Sequence, residues 1–397
     1  MNSLNSNNSY TVLVLDAEQR SALSVTRSVG SMDGINVITA DSYKMALAGT
    51  SRRSSHYLEC PSSQDNPTQF IEWLALVIEK YSISLLLPVT EITSQLILMY
   101  KDKLPDVRLP FLSYENLIQI SDKSNLVQIA NTLDVTVPDT QYFKNVDELV
   151  ASKLIYPCVL KPSRSQYYED NRWISTIVRV LDSSDDLDQA LQTDTYLKNH
   201  DFMIQEFIPG FGAGLFCYYN NGEPKVFFAH NRLREKPPSG GVSVLSESVA
   251  VPDSLKQAAL KLLGHVKWHG VAMVEFRMAP DSTAYLMEVN TRFWGSLQLA
   301  VDSGVDFPQW VCATELGLPL HVQKSYQLGQ RLRWLLGDFD SLYLYFRSDK
   351  YSVVQKVIRF VQFCVGTPFK TKHEINRLGD FKPAVYEFKK YLKELVN

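Results

Sequence analysis

The sequence predicts a mixed α/β and α+β chain: a parallel-sheet domain, a larger α+β unit in two subdomains, and a basic, helical C-terminal extension. Three observations predict it. Between Thr11 and about Phe111, short apolar runs alternate with helical segments, the pattern of a parallel sheet flanked by helices. Beyond Lys123, strands with alternating polarity follow one another in hairpin order. Residues 321–397 hold 14 Lys and Arg against 7 Asp and Glu, inside a chain whose net charge is −3.

The elements follow in order. The runs TVLVLD, INVITA and ISLLLPV read as strands, with SALSVTRSVG and FIEWLALVIEKY as helices between them. The first turn, LDAEQRSA, lacks the G-x-G-x-x-G that lets a backbone approach a dinucleotide, so an NAD site is disfavoured. A helix starts at SDKSNLVQIANTL, capped by Ser121 or Asp122. The strands YPCVLKP, WISTIVRVL and FMIQEFI follow, with a helix over Asp185–Asn199. Asn220, Asn221 and Gly222 turn a hairpin between GLFCYY and PKVFFAHN. A helix from about Pro252 to Val266 leads into a last hairpin, GVAMVEFRM and AYLMEVNTR, turned by Ala279–Thr283. The expected boundaries are 1–118, 119–320 with a small subdomain at about 140–208, and 321–397.

Composition narrows the function classes. No apolar run spans a bilayer, and the polar start MNSLNSNNSY has neither a basic nor an apolar region, which predicts a cytoplasmic protein. The five cysteines are scattered and read as buried thiols rather than a metal cage or disulfide framework. The histidines show no ligand spacing, and His269 reads as a structural residue. No nucleic-acid partner is expected.

Chemistry concentrates in the last hairpin. Alternation places Met273, Glu275 and Arg277 on one face of its first strand, and Leu286, Glu288, Asn290 and Arg292 on one face of its second. Glu275, Glu288 and Asn290 are hard-oxygen donors that suit Mg²⁺ on a polyphosphate, and Arg292 is a fixed cation beside them. The same residues also fit the solvent face of a half-covered hairpin.

The run MVEFRMAPDSTAYLMEVNTRFWGSLQLAVDSGVDFP resembles the ATP-grasp superfamily, and within it the carbamoyl-phosphate-synthetase-like carboxylate-amine ligases; the resemblance extends from Lys123 to about Gly317. VLVLDAEQRSAL and LLLPVTEIT resemble the pre-ATP-grasp domain of that group. The resemblance implies ATP with one or two Mg²⁺ ions, Mn²⁺ being an alternative, held by Glu275, Glu288 and Asn290. It implies Arg292 as the catalytic arginine and Lys161 and Lys123 as lysines reaching the nucleotide. It makes QEFIPG an adenine hinge, with Gln205, Glu206, Phe207 and Ile208 around the base and backbone groups of Glu206 and Ile208 on its edge. RLREKPPSGGVSVLSES resembles a loop of these ligases, with Arg234 as a carboxylate clamp and Ser239, Gly240 and Gly241 as an anion cradle. Two departures stand out: SRSQYYEDNRW has no glycine where the family has a glycine-rich flap, and FGAG replaces the ribose-binding carboxylate.

The implied activity is ADP-forming ligation of a carboxylate to an amine, with an amino acid, a dipeptide or a sugar acid as candidates. Bicarbonate activation and a non-catalytic ATP-binding regulator are the alternatives. In the tail, Val353, Val354, Val357, Ile358 and Val361 form an apolar helical stripe, expected to pack on the neighbouring domain and otherwise suited to a membrane surface or a lipid-linked or anionic glycan. A homo-oligomer is compatible with the sequence.

Overall fold

The computed structural model describes residues 9–149, 154–238, 240–319, 325–365 and 371–396. The first sheet is parallel, in the order β3-β2-β1-β4, from β1 (Tyr10–Val14), β2 (Ile35–Asp41), β3 (His56–Glu59) and β4 (Ile83–Leu87). Helices α1 (Arg20–Val29), α2 (Pro67–Tyr81) and α3 (Glu91–Met99) cover it. β1, β2 and β4 are short apolar runs buried along most of their length, as a parallel sheet between helices requires. β3 carries no apolar run and was not expected from sequence.

α4 (Tyr114–Ser121) and α5 (Lys123–Thr132) meet at Asp122, whose carboxylate accepts the backbone N–H groups of Ser124 and Asn125, both at 3.1 Å. Of the two predicted caps, Asp122 is the one used; Ser121 ends the preceding helix. The small antiparallel sheet runs β5-β10-β6-β9, with β5 (Thr140–Phe143), β6 (Cys158–Pro162), β9 (Arg179–Leu181) and β10 (Phe202–Glu206). α6 (Val146–Leu149) follows β5, and α7 (Ser184–Thr193) lies between β9 and β10. The stretch read as one strand, WISTIVRVL, is two: β8 (Arg172–Ser175) pairs with β7 (Gln166–Glu169) in a separate hairpin, and β9 returns to the sheet. That hairpin is the glycine-free flap. Its turn is made by Asp170 and Asn171, both left-handed at φ 49° and 60°, a conformation those two side chains tolerate where most do not.

The large sheet is β15-β14-β11-β12-β13-β16-β17. Its members are β11 (Phe211–Asn220), β12 (Glu223–Lys236), β13 (Val242–Val249), β14 (Gly270–Met278), β15 (Ala284–Asn290), β16 (Arg331–Arg333) and β17 (Thr371–His373). The tail is therefore no separate appendage, because β16 pairs with β13 and β17 with β16. α8 (Asp253–His265) packs with α5 over one face around Trp268, Leu262 and Tyr219. α9 (Leu297–Asp302) and α10 (Phe307–Leu316) bring Phe307, Trp310 and Trp294 between the large sheet and the β1 sheet, so one core spans both.

The chain closes with α11 (Leu335–Arg347), α12 (Val353–Val365) and α13 (Lys382–Val396). α12 is turned inside out relative to the expectation. Val353, Val354, Val357, Ile358 and Val361 are exposed, and Arg359 is the buried residue of that helix. The cause is Asp338 on α11, fully buried, which draws the Arg359 guanidinium inward to 2.7 Å. Three cysteines are buried as predicted, but Cys60 is half-buried and Cys364 is exposed on α12. His269 has the predicted structural role, its Nε2 2.7 Å from Glu315 and its Nδ1 accepting the Asn221 N–H at 3.1 Å. Among the described residues no helix is long and apolar enough to cross a membrane.

Candidate functional site

The two carboxylates predicted on the last hairpin meet, by a route that simple alternation did not foresee. β14 and β15 pair Glu275 with Glu288 directly, but the next pair is Phe276 with Leu286, leaving Met287 as a bulge. The bulge reverses the parity of β15. Leu286 therefore joins the core instead of sharing the face of Glu288 and Asn290. The extra residue, Met287, turns its sulfur to the Lys161 Nζ at 3.5 Å.

Asn290 sits between the carboxylates, its amide donating to Glu275 Oε1 at 3.2 Å and to Glu288 Oε1 at 3.0 Å. Two carboxylates so placed are held together by donors and cations. Lys123 Nζ is 3.6 Å from Glu288 Oε2 and donates to Ser165 Oγ at 3.0 Å. Arg232 Nη2 is 3.2 Å from Glu275 Oε2. Arg292 is anchored by the Phe293 carbonyl at 3.0 Å, with its other Nη 3.5 Å from Asn290 Oδ1. Lys123 and Lys161 are both buried.

The electrostatics follow from this packing. Burial, and then the charge of Glu288, push the Glu275 carboxyl up. Burial acts the same way on Glu288, but Lys123, the Asn290 amide, Lys161 and Arg292 outweigh it and hold that carboxyl below its ordinary range. Burial pushes Lys161 down to about 8, against the pull of Glu288 and with Lys123 and Arg277 adding repulsion. Among the described residues no three His, Cys, Asp or Glu side chains are grouped so as to hold a metal ion by themselves. The oxygen set of two carboxylates and one amide nonetheless suits Mg²⁺, which takes its remaining ligands from water and phosphate. The amide needs only to exchange its nitrogen for its oxygen between the carboxylates, and the two are not distinguished by shape.

Residues from the first sheet complete the site, and sequence reasoning missed them. Asp16, left-handed at φ 56° at the end of β1, accepts the N–H groups of Val89 and Thr90 at 3.0 and 2.9 Å and the Thr93 hydroxyl at 2.6 Å. This tie sets the starts of α1 and α3 side by side, where Glu91 lies near Lys123 and Arg292, and Arg20, paired with Glu374 and stacked 4.0 Å from the Trp334 ring, borders the same space. A cavity of about 300 Å³ holds Arg20, His230, Arg232, Glu275, Asn290 and Arg292 on its walls. A neighbouring one of about 280 Å³ shares Arg20, Arg292 and Gly295 and adds Glu91. Both carriers lay in LDAEQRSAL and LLLPVTEIT; the usable signal was a charged residue just beyond an apolar strand.

The hinge and loop residues divide. The Glu206 N–H donates to the Asp139 carbonyl at 2.9 Å, and the Ile208 carbonyl accepts from Arg277 Nε at 3.1 Å. Gln205 is buried, its amide donating to Thr140 at 3.0 Å, and Phe207 is half-buried beside it. Gly241 lines the first cavity, Gly240 is exposed, and Ser239 lies outside the described residues. Arg234 is not at this site. β12 pairs Arg232 with Ser246 and Arg234 with Leu245, so a bulge at Leu233 turns Arg234 to the opposite face, onto Asp338 at 2.7 Å. The position on the site's face that Arg234 was expected to fill is occupied by Arg232.

Residues 198–337 match the family model described as ATP-grasp in the biosynthetic pathway with Ter operon. Among solved structures, biotin carboxylase from Campylobacter jejuni superposes with a TM-score of 0.64 at 17% identity, over 82% of this chain and 75% of that one. The chain has the ATP-grasp fold. The ADP complex of purK, an N5-carboxyaminoimidazole ribonucleotide synthetase, gives 0.60 at 16% identity over 81% and 80% of the two chains. L-amino acid ligase from Bacillus licheniformis gives 0.58 at 16% over 78% and 75%. No curated protein matches this ATP-grasp chain in sequence.

Proposed function

We propose that this ATP-grasp protein is a ligase that activates a small carboxylate as an acyl phosphate and joins it to an amine, releasing ADP and phosphate. The observation that carries the reading is the convergence of Glu275, Glu288 and Asn290 with Lys123, Lys161 and Arg292, drawn from α5, β6, β14, β15 and the loop after it. A purely structural polar cluster has no use for two buried lysines and an arginine around two carboxylates.

In this reading Glu275, Glu288 and Asn290 hold Mg²⁺, which supplies positive charge against the phosphate oxygens. Lys161 and Lys123 neutralise the phosphate chain from the small subdomain and from α5. The Glu206 carbonyl and the Ile208 N–H are the hinge groups offered to the adenine edge. The carboxylate substrate lies in the cavity of Arg20, Arg232 and Arg292, whose charge matches an anion and whose size fits an amino acid or a dipeptide. Its oxygen attacks the γ-phosphorus as the bond to ADP breaks. The amine then attacks the carbonyl carbon, phosphate leaves, and a proton passes to water. Arg292 stabilises the negative charge on the oxygens of the adduct.

Product analysis tests this. With amino acids, dipeptides, sugar acids and bicarbonate each supplied with Mg²⁺ and ATP, one carboxylate is expected to release ADP and phosphate, and hydroxylamine to trap its acyl group as a hydroxamate. AMP and pyrophosphate as products would sink the proposal. Release driven by bicarbonate alone would move it to a carboxylating reaction.

A further inference from the structure

The bulge that turns Arg234 away from the ATP cleft delivers it to a second charged centre. Behind the sheet, Arg234 of β12, Arg333 of β16 and Arg359 of α12 all close on Asp338, each at 2.7 Å. Arg331 lies alongside, paired with Glu247. Among the described residues three guanidinium groups thus share the single carboxylate of Asp338, an excess of two positive charges in a largely buried cluster. A structural lock of α11 and α12 onto the sheet needs one arginine per carboxylate, and each added one costs desolvation and repulsion. The repulsion registers on Arg234, where burial and then the charges of Arg359, Arg333 and Arg331 outweigh Asp338 and hold the group down at about 10.

The hydrogen bonds are incomplete in the same place. Among the described residues, Arg234 Nε, Arg333 Nη2, Arg359 Nη1 and His373 Nδ1 are buried without a partner. Arg234 and Arg333 add weak contacts among the described residues: Arg234 Nη1 to the Gln362 carbonyl at 3.4 Å, and Arg333 stacked 4.3 Å from the Phe363 ring. Arg234, Arg331, Arg333 and His373 line a cavity of about 740 Å³ whose other walls include Leu233, Leu245, Val361 and Val365. Among the described residues no acidic one lines it, and none of its lining residues is shared with the cavities around Glu275 and Arg292.

We propose that this cavity is a second ligand site, separate from the ATP cleft, that binds a phosphate monoester through Arg234 and Arg333, with the organic part of the ligand on Leu233, Leu245, Val361 and Val365. A doubly charged phosphate matches the charge excess, whereas a carboxylate leaves one positive charge uncompensated, and its oxygens accept the forked N–H pairs that guanidinium groups present. The proposal does not depend on the ligase reading. The exposed apolar stripe of α12 beside the cavity makes two sources of such a phosphate worth separating, a soluble ester and a lipid headgroup.

The experiment is calorimetry on the full chain with n-hexyl phosphate, inorganic phosphate and n-hexanol, all with Mg-ADP saturating so that the nucleotide cleft is filled. Hexyl phosphate is expected to bind and hexanol not to, with R234Q and R333Q each weakening binding about tenfold or more, as loss of a charged hydrogen bond implies. R292A is expected to leave it unchanged. Q362E, at an exposed position on the rim, introduces a negative charge without disturbing the cluster, and is expected to weaken hexyl phosphate even if the arginine variants fold poorly. Co-sedimentation with phosphatidic acid vesicles that R234Q abolishes assigns the phosphate to a lipid; binding of hexyl phosphate without co-sedimentation assigns it to a soluble ester. Hexyl phosphate binding no better than hexanol, or binding lost in R292A and kept in Q362E, overturns the proposal.

Discussion

Glu387 on α13 gives the chain a stability that depends on pH in a defined direction. Its carboxylate accepts from Trp334 Nε1 at 2.6 Å, joining α13 to the start of α11. Burial pushes this carboxyl up to about 7, with Glu374 and Glu18 adding to the effect and the Trp334 N–H and Arg20 opposing it. A raised carboxyl favours the protonated form in the folded chain, so its contribution is fully present below the unfolded value of about 4.5 and is lost as pH rises through 7. The gap between those values is worth at most about 3 kcal/mol, and partial exposure brings the expectation to about 1–2 kcal/mol. Glu387→Gln keeps the acceptor oxygen and removes the titration. Urea unfolding at pH 5 and pH 8 is then expected to show the variant gaining about 1–2 kcal/mol on the wild type between the two. A difference that stays constant, or that moves the other way, refutes the reasoning.

Two further substitutions test how the parts are tied. Arg27 on α1 holds the segment before α13 through Asp380 at 2.8 Å and the carbonyls of Glu374 and Ile375, each at 2.8 Å. Arg27→Leu leaves that buried carboxylate uncompensated and is expected to cost about 3–5 kcal/mol in urea unfolding, with early proteolytic release of the C-terminal segment. Asp122 caps α5 and pairs with Arg164, at the base of the flap, at 2.9 Å. Asp122→Ala is expected to cost about 1–2 kcal/mol of stability and to raise the KM for ATP, because the same cap positions Lys123.

Much of this architecture was legible in the sequence because it rests on period and on local turn chemistry. The apolar runs of β1, β2 and β4 specify a doubly covered parallel sheet, and Asn221-Gly222, left-handed at φ 49° and 84°, turns the β11–β12 hairpin where it was expected. What escaped reading depends on partners distant in sequence. Both bulges, at Leu233 and at Met287, reverse the strand parity from which faces are inferred, and neither carries a glycine to announce it. The first moved Arg234 off the face that carries Arg232, and the second moved Leu286 into the core. The flap forms without glycine because Asp170 and Asn171 tolerate the left-handed turn. It then docks on the first domain through the Trp173 Nε1 bond to the Ser63 carbonyl at 3.1 Å. α12 has the periodicity of a helix that buries its apolar face, yet Asp338 buries its arginine instead. Glu91 and Arg20 reach the cavities beside Arg292 only because Asp16 brings two helix starts together.

The measurement that bears most directly on the ligase reading is ADP release by purified wild type and Arg292→Ala, with Mg²⁺ and ATP, across the panel of carboxylates and amines. Since Arg292 lies beside Asn290 on the wall of the cavity proposed to hold the carboxylate, the variant is expected to bind ATP as the wild type does while its substrate-stimulated ADP release falls by about 100-fold or more. Wild type that binds ATP but shows no stimulation by any pair, or a variant that turns over at the wild-type rate, would contradict the account.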